Sequence, residues 1–290
     1  MLHQSRYSKA STSANSTDIN MTVSPGSQSY HNTRYHARLP DTNGFINYPT
    51  DEQAIWHDLM TRQQQLFAGR ACQAYLSGLQ QLGVSPTSIP QLSSLDNVLQ
   101  QATGWRTAQV PALISFKRFF ELLANREFPV ATFIRCREDF DYIKEPDIFH
   151  EVVGHCPLLA NPAFAAFNQT YGKLGLIASK AQRSYLARLY WFTVEFGLLI
   201  ENSQTRIYGG GILSSPTETI YALTDEPEHR EFNLLDMLRT PYRIDRLQPI
   251  YYVIDGIDTL WHLAETDLLT QVDQAMAKGL FDPHPSLLVN

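Results

Sequence analysis

Apolar residues along this chain recur mostly at the three-to-four spacing of amphipathic helices, and strict alternation is confined to short runs. Ile55, Trp56, Leu59 and Met60 follow Thr50 and Gln53, whose separation is that of a capping box at a helix start. A second helix is predicted through Cys72, Tyr75, Leu76 and Leu79, stopping at Gly83, and a short third over Ser94 to Ala102. FKRFFELLAN after Ser115 reads as helix, and FPVATFIR (Phe128 to Arg135) has the β-branched and aromatic content of a strand. Pro162 opens a helix through Ala163, Phe164 and Phe167. The longest periodic stretch, Ala181 to Glu201, predicts one helix with a buried second half. Arg206 to Ser215 is a glycine-broken turn between extended pieces, Gln248 to Asp255 a strand, and Gly256 to Lys278 a C-terminal helix. The fold class is mainly α: an α+β domain with a small sheet, and not a βαβ array.

Residues 1–34 break this pattern. They are rich in Ser, Thr, Asn and Gln and poor in aliphatic side chains, so they predict a disordered tail ahead of a single domain over 35–290. Met21 begins a second plausible start within that tail. The whole chain has 290 residues, 43% of them hydrophobic, enough for an ordinary core without a staple. A net charge of −6 with no basic stripe speaks against a nucleic-acid partner. No apolar run is long enough for a membrane span, and no secretory h-region is present. Cys72, Cys136 and Cys156 are scattered and form no CxxC pair, which points to a reduced cytoplasmic setting.

The candidate chemistry starts at PDIFHEVVGHCPLL, residues 146–159. Pro146 suits a first helical turn and Asp147 the helix dipole. His150 and His155 stand at i and i+5, roughly 140° apart on an ideal helix at about 100° per residue. They converge only if the chain leaves the helix at Gly154, so the second imidazole is predicted to come from a loop. A zinc hydrolase with Glu151 as base would instead need histidines at i and i+4. Glu195 lies in the apolar run YWFTVEFGLLI, where a carboxylate must be paired or bound to a metal. Arg183 and Arg188 are poorly placed to pair with it. Two imidazoles and one carboxylate form the facial triad of non-haem Fe(II) oxygenases. Spacing alone leaves the metal open, though mixed N and O donors without a thiolate suit iron.

PDIFHEVVGH, YWFTVEFGL and YGGGILSS, in this order, resemble the catalytic domain of the pterin-dependent aromatic amino acid hydroxylases. The likeness covers most of residues 45–255, includes ATGW and QPIYYV, and is nearest to the short bacterial phenylalanine 4-monooxygenases. It implies that His150, His155 and Glu195 hold Fe(II), and that tetrahydrobiopterin or another tetrahydropterin and O2 are co-reactants. One oxygen atom would enter the ring of L-phenylalanine, giving L-tyrosine, and the other would hydroxylate the pterin. Glu151 would lie beside the metal, near pterin and water, in a catalytic role. The pterin would meet the Leu113 backbone and stack on Phe119, which spacing alone marks as a core aromatic. Ala112 stands there where the family more commonly has glycine. The resemblance assigns the substrate carboxylate to Arg135 and a pocket wall to Trp191, with Gly211, Ser214 and Glu218 supporting the substrate side. Ile244 is aliphatic where tyrosine hydroxylases carry an acidic residue. Tryptophan or tyrosine hydroxylation is the alternative within the family. A monomer is expected.

Overall fold

The computed structural model describes residues 35–288, so the tail expected at 1–34 lies outside the described residues. Helix α1 (Thr50–Phe67) buries Ile55, Trp56, Leu59 and Met60, as their spacing requires. Its start is not a capping box. Pro49 holds the cap position, and Gln53 Oε1 accepts from the Ile89 amide at 2.9 Å. A distant amide in need of an acceptor wins over the local signature. Helices α2 (Gln73–Gln81) and α3 (Leu92–Thr103) lie where expected, α3 closing on Gly104 in the left-handed conformation.

Next comes a βαβ unit. Strand β1 (Arg106–Val110) pairs in parallel with β2 (Glu127–Ala131), and α4 (Phe116–Ala124) is the crossover, capped by the Ser115 side chain. Only the first half of the strand expected at Phe128–Arg135 is paired. The remainder carries Arg135 to the foot of the next helical segment.

That segment winds as a π-helix over His150–His155 and runs directly into α5 (Cys156–Leu159). Helix α6 (Pro162–Ile177) is capped by Asn161, and α7 (Lys180–Tyr190) by a capping box from Ser179 and Gln182. A second π turn, Trp191–Glu195, follows α7 without a break. The helix expected over Ala181–Glu201 therefore ends early, because Leu198–Glu201 is strand β3. A short apolar run suits a buried strand as well as a helix. Here β4 (Gln204–Ile207) pairs with it through a two-residue turn, with Asn202 and Ser203 at φ 51° and 61°.

The chain then makes short helices α8 (Gly210–Leu213) and α9 (Pro216–Tyr221), strand β5 (Glu228–Glu231) and helix α10 (Leu234–Arg239). Strand β6 (Ile250–Ile254) completes a four-stranded sheet of order β4-β3-β6-β5. The glycine-broken stretch Arg206–Ser215 is thus strand, then helical turn. The C-terminal helix is two, α11 (Thr259–Glu265) and α12 (Leu268–Lys278), divided where Asp267 caps the second. Helix dominates and the sheets are small, as the pattern implied. Among the described residues the parallel crossovers are β1-α4-β2 and β5-α10-β6, in separate sheets, and they form no array.

Candidate metal and substrate site

The two π turns solve the histidine spacing. A π-helix closes i→i+5 hydrogen bonds, so each turn holds one residue more than an α-turn and residue i+5 comes back over residue i. The Cys156 amide bonds to Glu151 O, and the Phe196 amide to Trp191 O at 2.8 Å, both in this pattern. His155 is therefore a helical residue, and the loop expected at Gly154 is absent. What Gly154 supplies is room: a Cβ there would lie 2.7 Å from Gly210 O, and one on Gly210 would lie 2.5 Å from His155 Cε1. The YGGG segment packs its backbone directly against the histidine turn.

His150 Nε2 and His155 Nε2 stand 3.1 Å apart. The Glu195 carboxylate lies 3.5 Å from His155 Nε2 and 3.9 Å from His150 Nε2. Adjacent donors around an octahedral ion at about 2.1 Å are roughly 3 Å apart, so this cluster is slightly open but of the right size. Ser214 fixes the proton of His150. Its hydroxyl donates to Gly210 O at 2.8 Å, so it accepts from His150 Nδ1–H, also at 2.8 Å, which leaves His150 Nε2 bare. Burial, then the neighbouring His155, lowers the His150 pKa to about 4, so this imidazole is neutral and its lone pair is available.

Glu195 is not fully enclosed: its side chain is 19% exposed, and it lines the cavity described below. Burial opposes its charge, but His155 and His150 outweigh burial and hold the carboxyl below its ordinary value. Arg183 and Arg188 bond to backbone carbonyls instead, as their placement suggested. Glu151 competes for the role of third donor, having an oxygen within 4.8 Å of ligand atoms of both histidines. Its carboxyl, however, is pushed well above the usual range by burial and by the charges of Glu195 and Asp147. A group that favours its neutral form is the poorer metal ligand, which favours Glu195 over Glu151 as the third donor. Two imidazole nitrogens facing a carboxylate, with no arginine or lysine bonded to it among the described residues, fit a divalent ion. Ser214→Ala removes the acceptor that orients His150, and iron affinity is expected to fall about 10–100-fold by equilibrium titration.

Arg135 is buried against Asp147. Its Nε and Nη2 donate to the two carboxylate oxygens at 2.8 and 2.9 Å, and its backbone amide donates to Oδ2 at 3.0 Å. Asp147 Oδ1 also accepts from the His150 amide at 3.0 Å, so Asp147 caps the histidine turn as well as holding the arginine. Burial works against both charges, yet the pairing keeps the Asp147 carboxyl low and the Arg135 guanidinium high. One edge of the Arg135 fork is thus already used. Nη1 has no protein partner among the described residues, and Arg135 lines the cavity.

That cavity has a volume of about 560 Å³, and every residue singled out from the sequence lines it. Leu113 comes from the loop between β1 and α4, and Phe119 from α4, where its ring meets Tyr190 edge-on at 5.6 Å. Gly211 and Ser214 come from α8 and its end, Glu218 from α9, and Ile244 from the loop before β6. Trp191 opens the second π turn and stacks on Tyr242 at 4.4 Å. Glu218 is buried, and burial pushes its carboxyl up to about 7 against hydrogen bonds from Tyr251 and the Gln248 amide. Asp147, Gln248 and Tyr251 were not singled out from sequence as site residues. Only Asp147 left a signal, its position three residues before His150 being that of a helix cap.

A sequence profile of the biopterin-dependent aromatic amino acid hydroxylases matches residues 27–267. The chain is 59% identical over 251 residues to the phenylalanine-4-hydroxylase of Pseudomonas aeruginosa, a match covering 87% of this chain and 96% of that one. The fold matches the apo structure of the cold active phenylalanine hydroxylase from Colwellia psychrerythraea 34H with a TM-score of 0.84 at 50% identity, over 86% of this chain and 97% of that one. The Chromobacterium violaceum phenylalanine hydroxylase holding iron(III) and the oxidised cofactor 7,8-dihydrobiopterin matches with a TM-score of 0.78 at 41% identity, over 86% and 90% of the two chains.

Proposed function

The chain belongs to the biopterin-dependent aromatic amino acid hydroxylase family, and from that premise we infer that it converts L-phenylalanine to L-tyrosine with O2, iron and a tetrahydropterin. The observation that carries this reading is the meeting of two imidazole nitrogens and one carboxylate in a cavity also lined by Arg135, Trp191 and Phe119.

His150, His155 and Glu195 hold the iron, and when bound, the iron and the pterin together activate O2 and supply the electrons for ring hydroxylation. Everything else is positioning by the chain's own groups. Phe119 offers a ring face to the pterin, and the Leu113 backbone offers it hydrogen-bonding groups. Arg135 binds the substrate carboxylate through the part of its guanidinium that Asp147 leaves free. Trp191 and Ile244 confine the phenyl ring, and the Gly211–Ser214 turn packs behind the metal-binding imidazoles. Glu151 lies beside the metal, where it faces pterin and water. The cavity wall, largely apolar, limits the water around the reacting groups.

A ring pocket walled by Trp191 and an aliphatic Ile244 gives a phenol no partner. Apolar pockets reject an added hydroxyl by only about two orders of magnitude, which is enough to rank the substrates. With Fe(II), a tetrahydropterin and the three amino acids in competition, phenylalanine is expected to show the highest kcat/KM and tryptophan a lower one. Little dihydroxyphenylalanine should form from tyrosine. A higher kcat/KM for tryptophan or tyrosine overturns the substrate assignment, and no tyrosine from phenylalanine overturns the reaction.

The same reading makes residues 35–290 one catalytic domain and the protein a cytoplasmic monomer without a nucleic-acid partner. All three cysteines are free, which suits a reducing compartment, and no helix among the described residues is long and apolar enough to cross a membrane. Sedimentation at a single 33.0 kDa species tests the monomer.

A further inference from the structure

Gln248 is a buried residue just before β6 whose side-chain amide and backbone N–H are all engaged. Its Oε1 accepts from Trp191 Nε1 at 2.9 Å. Its Nε2 donates to Arg243 O at 2.7 Å and to Arg246 O at 2.8 Å. Its backbone amide donates to Glu218 Oε1 at 3.1 Å. The two carbonyls bracket Ile244 and Asp245, so one side chain ties the turn that carries Ile244 to the Trp191 indole, and both residues line the cavity. Both acceptor carbonyls need N–H donors and the indole N–H needs an oxygen, which fixes the orientation of the amide. No other natural side chain of this length supplies two donors and one acceptor in that arrangement. Glutamate lacks the donors, and leucine or methionine lacks all three.

The geometry points to Gln248 as a positioning residue for the substrate ring: it sets the separation between Trp191 and Ile244, and so the width of the ring pocket. This rests on the phenylalanine-hydroxylating reading above. The outer side of the turn is held independently, Arg243 Nη1 reaching Leu287 O at 3.2 Å and Arg246 Nη1 reaching Ser286 O at 2.8 Å. Loss of the Gln248 bonds therefore loosens the pocket side of a turn still anchored from behind. Gln248 bonds to none of His150, His155, Glu195, Phe119 or Leu113, so iron and pterin binding should not depend on it.

The test is Gln248→Leu, assayed with phenylalanine and with tryptophan beside the iron-loaded wild type. KM for phenylalanine is expected to rise about tenfold or more, with kcat within about threefold and iron content and pterin KM unchanged. The ratio of tryptophan to phenylalanine kcat/KM should rise, because a wider pocket penalises the larger ring less. Gln248→Glu, which keeps the shape but loses the donors, should behave like Gln248→Leu. An unchanged KM, a parallel fall for both substrates, or loss of iron in the variant overturns the proposal. If the Gln248 variants do not fold, hydrogen exchange of amides 243–247 in Trp191→Phe decides. Faster exchange there than in the wild type is expected once the Gln248 acceptor loses its indole partner, and unchanged exchange overturns the coupling. A wild type that makes no tyrosine would refute the functional reading instead, so the two failures are distinguishable.

Discussion

Alanine at Glu195, His150 or His155 is expected to strip the protein of iron and abolish tyrosine formation, with the fold retained. The two imidazole nitrogens stand 3.1 Å apart, with one Glu195 oxygen 3.5 Å from His155 and the other 3.9 Å from His150, and two remaining donors hold a divalent ion weakly. The loss should exceed the roughly 10–100-fold that removing an outer partner of a metal ligand costs. Glu195→Gln is the sharper variant. It keeps the size and removes the charge, so iron should fall even though the cavity is unchanged. The His150 and Glu195 variants should melt close to the metal-free wild type, because both side chains line the cavity, whereas His155 is buried and its truncation should cost some stability. Iron by metal analysis, tyrosine by chromatography and a melting curve on each variant check all three statements. Glu195→Ala that retains iron and near-normal turnover excludes it as a ligand.

Asp147→Ala is expected to cost about 3–5 kcal/mol of stability, the range for removing one partner of a buried ion pair. Asp147 is fully enclosed and Arg135 nearly so, and the carboxylate takes three hydrogen bonds from Arg135 and one from the His150 amide. Truncation leaves a buried guanidinium without its counter-charge and the first π turn without its cap. The damage should reach function as well, since the same carboxylate orients the arginine assigned to substrate and the turn assigned to iron. Asp147→Asn retains an acceptor for the cap but cannot neutralise Arg135, so it should fall between wild type and Asp147→Ala. Chemical denaturation of the metal-free proteins measures this directly. A change below about 1 kcal/mol in Asp147→Ala would mean that the pair is replaceable by water.

The donors were legible in the sequence because their chemistry does not depend on fold: two imidazoles and a lone carboxylate in apolar surroundings demand an explanation wherever they occur. The backbone that unites them was not. Helical periodicity assumes α-turns, so His150 and His155 at i and i+5 seemed to require a break, and Gly154 seemed to provide it. A π turn satisfies the same spacing without leaving the helix. Its cost in backbone geometry is offset by contacts with the YGGG segment that only the folded chain reveals. Similar long-range terms account for the other departures. LLIE joins a sheet because β4 and β6 are there to pair with it, and Gln53 serves Ile89 because that amide arrives from a distant loop. RTAQV carries no strong strand signal, and β1 forms because α4 returns the chain to lay β2 beside it. Asp147 was read as a dipole partner, when the residue it neutralises stands twelve positions upstream at Arg135.

The most direct measurement of the central claim is an anomalous-difference map at the iron edge from crystals of the Fe(II)-loaded protein. One peak is expected, roughly 2.0–2.3 Å from His150 Nε2, from His155 Nε2 and from a Glu195 carboxylate oxygen, with the remaining positions open toward the cavity. A peak ligated by Glu151 in place of Glu195, or iron bound away from the two π turns, would contradict it.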